Sequence, residues 1–247
     1  MQFIIAPAKQ MRTDTDSFDT LGWPQYIDEA ATLLTQLRSL TYAQAKKLWV
    51  ASDKVARPNY DWLQHVNLRE HVTPAVMAYV GIQYQNMAPD LLDHAGLVYL
   101  QKHLRILSGF YGVLRPFDAI VPYRLEMGSR MQVGTDRNLY AFWGRKVYAA
   151  LDWQCPVINL ASQEYVRAVT PYLEGPDQLI DVVFGHLVDG HVKTRATYAK
   201  MARGSMIRFA AERNVRTVAE LTEFDDPHYA FAPDYSTDRR LVFLRRD

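Results

Sequence analysis

The sequence contains only one cysteine, Cys155, among its 247 residues. It therefore cannot form an intramolecular disulfide or a cysteine-based zinc finger, and it fits a protein of the reducing cytoplasm. Hydrophobic runs are also short. The run at residues 3–6 has the length of a strand, whereas a helix that crosses a bilayer needs about 18 to 20 apolar residues. The N-terminus has no basic segment followed by an apolar core, so we expect no secretory signal and no membrane partner.

The motifs of the common nucleotide-binding and hydrolytic folds are missing as well. The sequence has no G-x-x-x-x-G-K-[S/T] phosphate loop, no G-x-G-x-x-G after a strand, no H-E-x-x-H and no G-x-S-x-G. His186 and His191 flank a turn, but exposed histidines are common at hairpin ends, so we interpret them as surface residues and predict no metal. No cofactor is predicted either.

What the sequence does contain is an ordinary globular composition with an uneven distribution of charge. Hydrophobic residues make up 49% and charged residues 22%, and no linker divides the chain, so residues 1–247 are predicted to form one domain. The net charge of +1 conceals two basic blocks, residues 101–130 and 191–216, and an acidic segment, residues 217–238. The basic blocks can present a positive surface to a polyanion. Alternatively, they are solvated helix faces paired with acids elsewhere.

The spacing of apolar residues predicts helices and strands that alternate without regular βαβ repeats, which indicates an α+β or irregular α/β fold. Thr41 and Gln44 match a capping box, and Asp189-Gly190 predicts a hairpin with a type I′ turn. Strands are predicted at 1–6, 156–161 and 241–244, and helices at 26–39, from 41, near 53–66 and 74–80, and at 198–214.

The segment 104–116 carries two glycines, Gly109 and Gly112, between apolar stretches that contain Arg105 and Arg115. This arrangement is similar to a helix-hairpin-helix element, in which glycines let backbone N–H groups approach a phosphate and the next helix N-terminus favours its charge. The usual hairpin has one residue between its glycines and this segment has two. A glycine-bearing turn after a core strand explains the residues equally well.

The predicted helix at 198–214 offers a second set of cationic residues. Lys200 and Arg203 lie three residues apart on one face, whereas Arg208 lies about 140° around the helix from Arg203. A basic helical face suits a phosphodiester backbone, and it equally suits solvent.

A third group of residues indicates a pocket. Lys9 follows the first predicted strand, and Tyr123, Arg124 and Glu126 lie in a segment bounded by proline and glycine, where polar groups often line a site. A lysine at a strand end can serve as an anion clamp or a nucleophile. An Arg–Glu pair that holds the core together is the alternative interpretation.

Five strings of the sequence are long and unusual: HLRILSGFYGVLRPFD (103–118), PYRLEMG (122–128), LYAFWG (139–144), VINLAS (157–162) and YAKMARG (198–204). Together they resemble the bacterial YaaA family of peroxide-stress resistance proteins, long described as a domain of unknown function. The resemblance covers essentially the whole chain. It implies a cytoplasmic, single-domain protein of unusual topology with a positively charged cleft and a helix-hairpin-helix-like element. It also implies binding to duplex or branched DNA, an association with repair proteins, and a role in limiting iron-driven oxidative damage.

Taken with the basic blocks, the resemblance predicts a DNA-binding surface formed by Lys9, Lys102, Arg105, Gly109, Gly112, Arg115, Lys200, Arg203 and Arg208. The sequence departs from the family pattern at two places. Ala6 replaces a serine in the Ser-Pro-Ala-Lys start, and Ile82-Gln83 replace Asp-Val in a Gly-Asp-Val-Tyr pattern.

Two hypotheses follow from these residues. The leading one is a DNA-binding protein of the oxidative-stress response, with little sequence specificity because affinity comes mainly from phosphate neutralisation. The alternative is an enzyme that acts on a small anionic metabolite or nucleotide in a pocket around Lys9, Tyr123, Arg124 and Glu126. A pocket too small for a duplex would favour the enzyme, whereas an open cleft lined by Lys200, Arg203 and Arg115 would favour DNA.

Overall fold

A computed structural model of the chain describes residues 1–175 and 178–246. Its strands are β1 (Gln2–Ile5), β2 (Gln10–Met11), β3 (Thr73–Pro74), β4 (Tyr79–Val80), β5 (Leu104–Ser108), β6 (Gly112–Leu114), β7 (Ala119–Ile120), β8 (Val157–Leu160), β9 (Leu179–Val188), β10 (His191–Lys193), β11 (Tyr229–Phe231) and β12 (Arg240–Arg245). Its helices are α1 (Ile27–Arg38), α2 (Tyr42–Trp49), α3 (Asp53–His65), α4 (Ala75–Ala78), α5 (Ile82–Met87), α6 (His94–His103), α7 (Leu139–Trp143), α8 (Lys146–Ala149), α9 (Gln163–Val166), α10 (Ala196–Arg213) and α11 (Val218–Leu221).

A central sheet in the order β11-β12-β9-β8-β1-β5-β6, with β10 paired to β9, organises these elements. The five strands β12, β9, β8, β1 and β5 are parallel to one another. In contrast, β6, β10 and β11 run antiparallel to their neighbours. The structure is therefore mixed α/β with a mostly parallel sheet, which agrees with the irregular α/β fold predicted from the sequence.

Strand β1 lies inside the parallel sheet, between β8 and β5, and fixes its topology. Phe3, Ile4 and Ile5 are all buried, as expected for a strand of a parallel sheet that is covered on both faces. From β1 the chain forms β5 and β6 on one side and then crosses to form β8, β9 and β12 on the other. This reversal makes the carboxyl end of β1 a topological switch point, the place where open α/β sheets bind their ligands.

Several local predictions are confirmed. Helices α1, α3 and α10 form close to their predicted bounds. The capping box of α2 is present, because Thr41 Oγ1 accepts from the Gln44 N–H and Gln44 Oε1 accepts from the Thr41 N–H. Asp189 and Gly190 have φ values of 51° and 74°, as a type I′ turn requires, and they connect β9 to β10. The helix predicted near 74–80 is shorter, since α4 is flanked by the short strands β3 and β4.

The segment 104–114 differs from the helix-hairpin-helix interpretation, because it forms the antiparallel hairpin β5–β6. Its glycines allow close packing. A Cβ on Gly109 would lie 2.7 Å from the carbonyl oxygen of Leu125, and one on Gly112 would lie 2.7 Å from the Trp143 ring. Gly112 also has φ +70°, a conformation that favours glycine. The two glycines thus leave room for neighbouring backbone and an aromatic ring to pack against the hairpin, and these groups occupy the space that a phosphate would need.

The backbone N–H groups of the hairpin turn are already satisfied within the protein. Ser108 Oγ accepts from the N–H groups of Phe110 and Tyr111, at 3.1 and 2.9 Å, and both aromatic side chains are fully buried. These donors are therefore enclosed and do not face solvent, so the turn has no surface that a phosphate could approach.

Helix α10 crosses α5 in direct backbone contact at Gly204. A Cβ at that position would lie 2.1 Å from the carbonyl oxygen of Gln83 and 2.9 Å from the backbone nitrogen of Met87. This close approach brings the basic residues of α10 next to the start of α5. No helix among the described residues is long and apolar enough to cross a membrane.

Candidate anion-binding site

A cavity of 520 Å³, which we call the inner pocket, opens at the carboxyl ends of β1 and β8. Residues 6–10 after β1, residues 80–84 around the start of α5, residues 123–126, residues 162–165 after β8, and two side chains of α10 provide its walls. The inner pocket therefore occupies the switch point of the sheet, where two adjacent parallel strands send their loops in different directions.

The charge of the inner pocket is positive. Its walls contain four cationic side chains, Lys9, Arg124, Lys200 and Arg203. They also contain two carboxylates, Glu126 and Glu164, so the formal charge of the lining is four positive less two negative, or +2. Four of these six residues are thus cations gathered from three separate parts of the chain. A concave surface with this balance attracts anions and focuses their field.

Glu126 connects two of the cations at the mouth of the inner pocket. The Lys9 Nζ lies 2.9 Å from Glu126 Oε2, and Arg124 Nη2 lies 4.0 Å from Glu126 Oε1. The Lys9 side chain is 66% exposed, so its ion pair contributes little to stability. The Arg124 side chain is only 14% exposed, which places it deeper in the wall.

Arg203 is the least compensated charge of the site. Its Nε atom is completely enclosed and has no hydrogen-bond partner, and the side chain forms no hydrogen bond or ion pair with the rest of the described chain. Burial lowers the pKa of the Arg203 guanidinium, but an arginine remains charged at neutral pH. Leaving a buried donor without an acceptor costs about 1–3 kcal/mol.

Two further donors in the same walls are also unsatisfied. Arg124 Nε and Gln83 Nε2 are enclosed atoms without a partner among residues 1–175 and 178–246. Gln83 is buried, and its backbone carbonyl is the atom against which Gly204 packs. The same close helix contact therefore places Arg203 and Gln83 in one wall, and the inner pocket holds more donors than the protein supplies acceptors.

Tyrosine side chains form the apolar part of the inner pocket. Tyr84 donates to the carbonyl of Ala6 at 3.1 Å, and Tyr165 lies beyond β8. Burial raises the pKa of Tyr123 to about 12 and raises the pKa of Tyr84 and Tyr165 as well, so all three are neutral at pH 7. They therefore line the cavity without adding negative charge.

The Tyr123 hydroxyl is held by a buried hydrogen-bond network. Ser108 Oγ lies 2.7 Å from it and Tyr79 Oη lies 2.8 Å from it. Because Ser108 Oγ already accepts two backbone N–H groups, the serine hydroxyl donates to Tyr123. The hairpin β5–β6 thus contributes to the site by orienting a tyrosine.

The structure brings the predicted pocket residues together. Lys9, Tyr123, Arg124 and Glu126 all line the inner pocket, and Lys200 and Arg203, which the sequence assigned to a DNA-binding helix, line the same cavity. Residues that supported the two competing hypotheses therefore line one cavity, although only part of the predicted DNA-binding set is among them.

The remaining predicted DNA-binding cations lie elsewhere. Lys102, Arg105 and Arg115 lie near the amino end of β5, whereas the inner pocket opens at the carboxyl end of β1, and none of the three lines it. Arg105 Nη1 donates to backbone carbonyls, and burial followed by repulsion from Arg115 lowers the Arg105 pKa. Arg208 pairs with Glu212 at 2.7 Å and does not line the inner pocket.

Residues that the sequence reasoning did not assign to the site complete it: Gln83, Tyr84, Ser162, Glu164 and Tyr165. One signal could have revealed part of this set, because Ala6-Pro7 and Ala161-Ser162 each follow a buried strand, and adjacent parallel strands end at the same edge. Both departures from the family pattern, at Ala6 and at Ile82-Gln83, fall on the walls of the inner pocket.

A second cavity of 980 Å³, which we call the outer groove, adjoins the inner pocket. Lys9, Glu126 and Glu164 line both cavities. The outer groove adds two exposed cations, Lys47 and Arg130. Within the described residues, no three His, Cys, Asp or Glu side chains are grouped so as to hold a metal ion.

Comparisons with known proteins agree over the whole chain. A family model described as peroxide stress protein YaaA matches residues 1–235. The chain is 54% identical over 245 residues to a UPF0246 protein of Lactiplantibacillus plantarum, which covers 99% of both chains. It is 53% identical over 247 residues to a UPF0246 protein of Lacticaseibacillus paracasei, covering 100% of both. A UPF0246 protein of Agathobacter rectalis is 40% identical over 247 residues, covering 100% of this chain and 99% of the relative.

Proposed function

The chain belongs to the peroxide stress protein YaaA family, and we propose that its inner pocket binds a small phosphate-bearing anion of the nucleotide class. The observation that carries this proposal is the set of cationic donors in the walls, four against two carboxylates, of which Arg203 has no hydrogen bond or ion pair to the described chain. A phosphate supplies several acceptor oxygens and negative charge together, which is what these donors lack.

Size and surface support a nucleotide over a duplex. A volume of 520 Å³ falls in the usual range for small-molecule sites. A DNA duplex, whose grooves alone are about 6 to 12 Å wide, does not fit into it. Tyr123, the most accessible of the three tyrosines in the walls, provides aromatic surface for a base, while the cations bind the phosphate. Lys9 and Glu126, 2.9 Å apart, are the pair through which a proton could be exchanged with a bound ligand.

Calorimetric titration with AMP, adenosine and inorganic phosphate tests this proposal. We expect AMP to bind and adenosine to bind much more weakly, because the phosphate makes the charge-assisted contacts. Arg203→Gln should weaken AMP binding by about 10- to 100-fold, the loss expected for one hydrogen bond to a charged group. Arg208→Gln is the matched control, since Arg208 lies on the same helix but pairs with Glu212. Equal affinities for AMP and adenosine, or an unaffected Arg203 variant, would refute the proposal.

The second candidate is the DNA binding that the family resemblance implies. The observation that favours it is the outer groove, which extends the positive surface of the inner pocket through Lys47 and Arg130. In this proposal the protein binds duplex or branched DNA through phosphate contacts, with little sequence preference, and protects it during peroxide stress. In this proposal the footprint lies on the side of the sheet that carries Lys200, because the outer groove continues from the inner pocket there.

Fluorescence anisotropy of a labelled duplex over a salt series tests DNA binding. The logarithm of the association constant should fall linearly with the logarithm of salt concentration, with a slope near −0.9 for each phosphate contact. Lys200→Ala should flatten that slope by about one unit, whereas Arg105→Ala, at the other edge, should leave it unchanged. If Arg105→Ala alone flattens the slope, the DNA footprint lies at the amino edge and this assignment fails.

A further inference from the structure

We infer that the inner pocket and the outer groove together accept the unpaired end of a DNA strand, with the terminal nucleotide in the inner pocket and the adjoining backbone in the outer groove. This inference rests on the DNA-binding candidate of the proposed function. It starts from the continuity of the two cavities, which share Lys9, Glu126 and Glu164 and hold 520 and 980 Å³.

The boundary between the two cavities can be opened at a small cost in free energy. The Lys9–Glu126 ion pair lies there, at 2.9 Å, and two-thirds of the Lys9 side chain is exposed. Exposed ion pairs contribute little to stability, so a phosphate can replace Glu126 as the partner of Lys9. The internucleotide phosphate next to the terminal nucleotide would occupy this position.

The outer groove has the surface that a single strand requires. Lys47 and Arg130 are exposed cations with no ion pair to any described residue, so their charges are available to a backbone. The same groove includes Leu48 and Val50, and Val50 is 90% exposed. A positively charged groove that follows the backbone is typical of single-strand binding, and Leu48 and Val50 add apolar surface beside it.

In this inference the inner pocket accepts a strand end because its 520 Å³ is the size of a site for one small molecule and residues of α5 and α10 form one wall. That wall is formed where α10 contacts α5, with Gly204 against the Gln83 backbone. A base inside a duplex would first have to leave its stack, whereas an unpaired terminal nucleotide needs no such step. Arg203, in this wall, would bind the terminal phosphate or the edge of the base.

Anisotropy measurements with three labelled DNAs at one salt concentration test the inference: a blunt duplex, the same duplex with four unpaired nucleotides at one end, and a circular single strand. We expect the overhang to bind about 10-fold more tightly than the blunt duplex and the circle. Arg203→Gln should remove this preference, so that the overhanging and the blunt duplex bind equally. Lys200→Gln, a change at an exposed residue, gives a second variant should Arg203→Gln unfold, and Arg208→Gln is the control.

The outcomes separate this inference from the proposals beneath it. Equal binding of blunt and overhanging duplexes overturns the inference while DNA binding stands. A circle that binds as tightly as the overhang overturns recognition of an end. Binding of AMP without binding of any DNA overturns both the inference and the DNA candidate, and leaves the nucleotide pocket intact. If Arg203→Gln and Lys200→Gln both keep the preference for the overhang, the inference is also overturned, because the strand end must then bind outside the inner pocket.

Discussion

Replacing Gly204 with alanine tests whether the contact between α5 and α10 builds the site. The added Cβ would lie 2.1 Å from the Gln83 carbonyl oxygen, where ordinary contacts begin at 3.4 Å, so the helices must separate by more than 1 Å. Overpacking of this kind costs about 3 kcal/mol, at the upper end of its usual range. Alanine recovers about 1 kcal/mol of helix propensity. We therefore expect a net loss of about 2 kcal/mol, which lowers Tm by about 4 to 8 °C in a chain of this size.

The separation should also weaken ligand binding, because Arg203 and Gln83 lie on the two sides of the contact. Thermal unfolding and calorimetric titration with AMP measure the two effects, and Ser205→Ala, on the neighbouring residue, controls for the gain in helix propensity. A Gly204→Ala protein that melts at or above the wild-type temperature would refute the close approach of the helices. One that is destabilised but binds AMP normally would refute the role of this contact in the site.

Three further predictions concern single residues. Gly112→Ala should lower stability by about 3 kcal/mol in urea unfolding, because φ is +70° and the Trp143 ring is in the way. Gly134→Ala, with φ +56° but open space, should cost less, and equal losses would contradict the packing role. Burial raises the pKa of Asp118 to about 6 in the folded protein, compared with 3.8 in the unfolded chain. Between these two values the folded state holds a proton that the unfolded chain has lost, so the free energy of unfolding falls as pH rises from about 4 to 6. Asp118→Asn should remove this decline and be more stable at pH 8 by at most about 3 kcal/mol in urea unfolding; identical pH profiles would contradict it. Lys9→Gln should change stability by less than about 1 kcal/mol yet weaken AMP binding, and normal AMP affinity would remove Lys9 from the site.

Features set by neighbouring residues could be predicted from the sequence. The capping box at Thr41 and the turn at Asp189-Gly190 each depend on a few consecutive residues, and both are present. Gly109 and Gly112 suggested a helix-hairpin-helix element because the sequence does not show what packs against them. The backbone at Leu125 and the ring of Trp143 leave no room for a Cβ at these positions, and both come from other parts of the chain. Glycine spacing alone does not distinguish a phosphate from a tryptophan ring as the close neighbour.

The site could be predicted only in parts, for the same reason. Lys9 and Arg124 could be selected by their positions near a strand end and in a proline-bounded segment. Their proximity to Arg203 depends on the pairing of β1 with β8 and on the crossing of α5 and α10, which no local pattern encodes. The sequence therefore supplied two separate groups of residues, and the parallel sheet combines them.

The central position of β1 has a consequence for how the protein is made. The partners of β1, at Leu104 and Val157, are translated about 100 and 150 residues after it, so this buried strand is synthesised long before either of its neighbours. At 5 to 20 residues per second, the first of these partners follows β1 by about 5 to 20 seconds, and until then Phe3, Ile4 and Ile5 have neither strand to pair with. Synthesis of this protein in the cell should therefore depend on chaperones that shield its first strand.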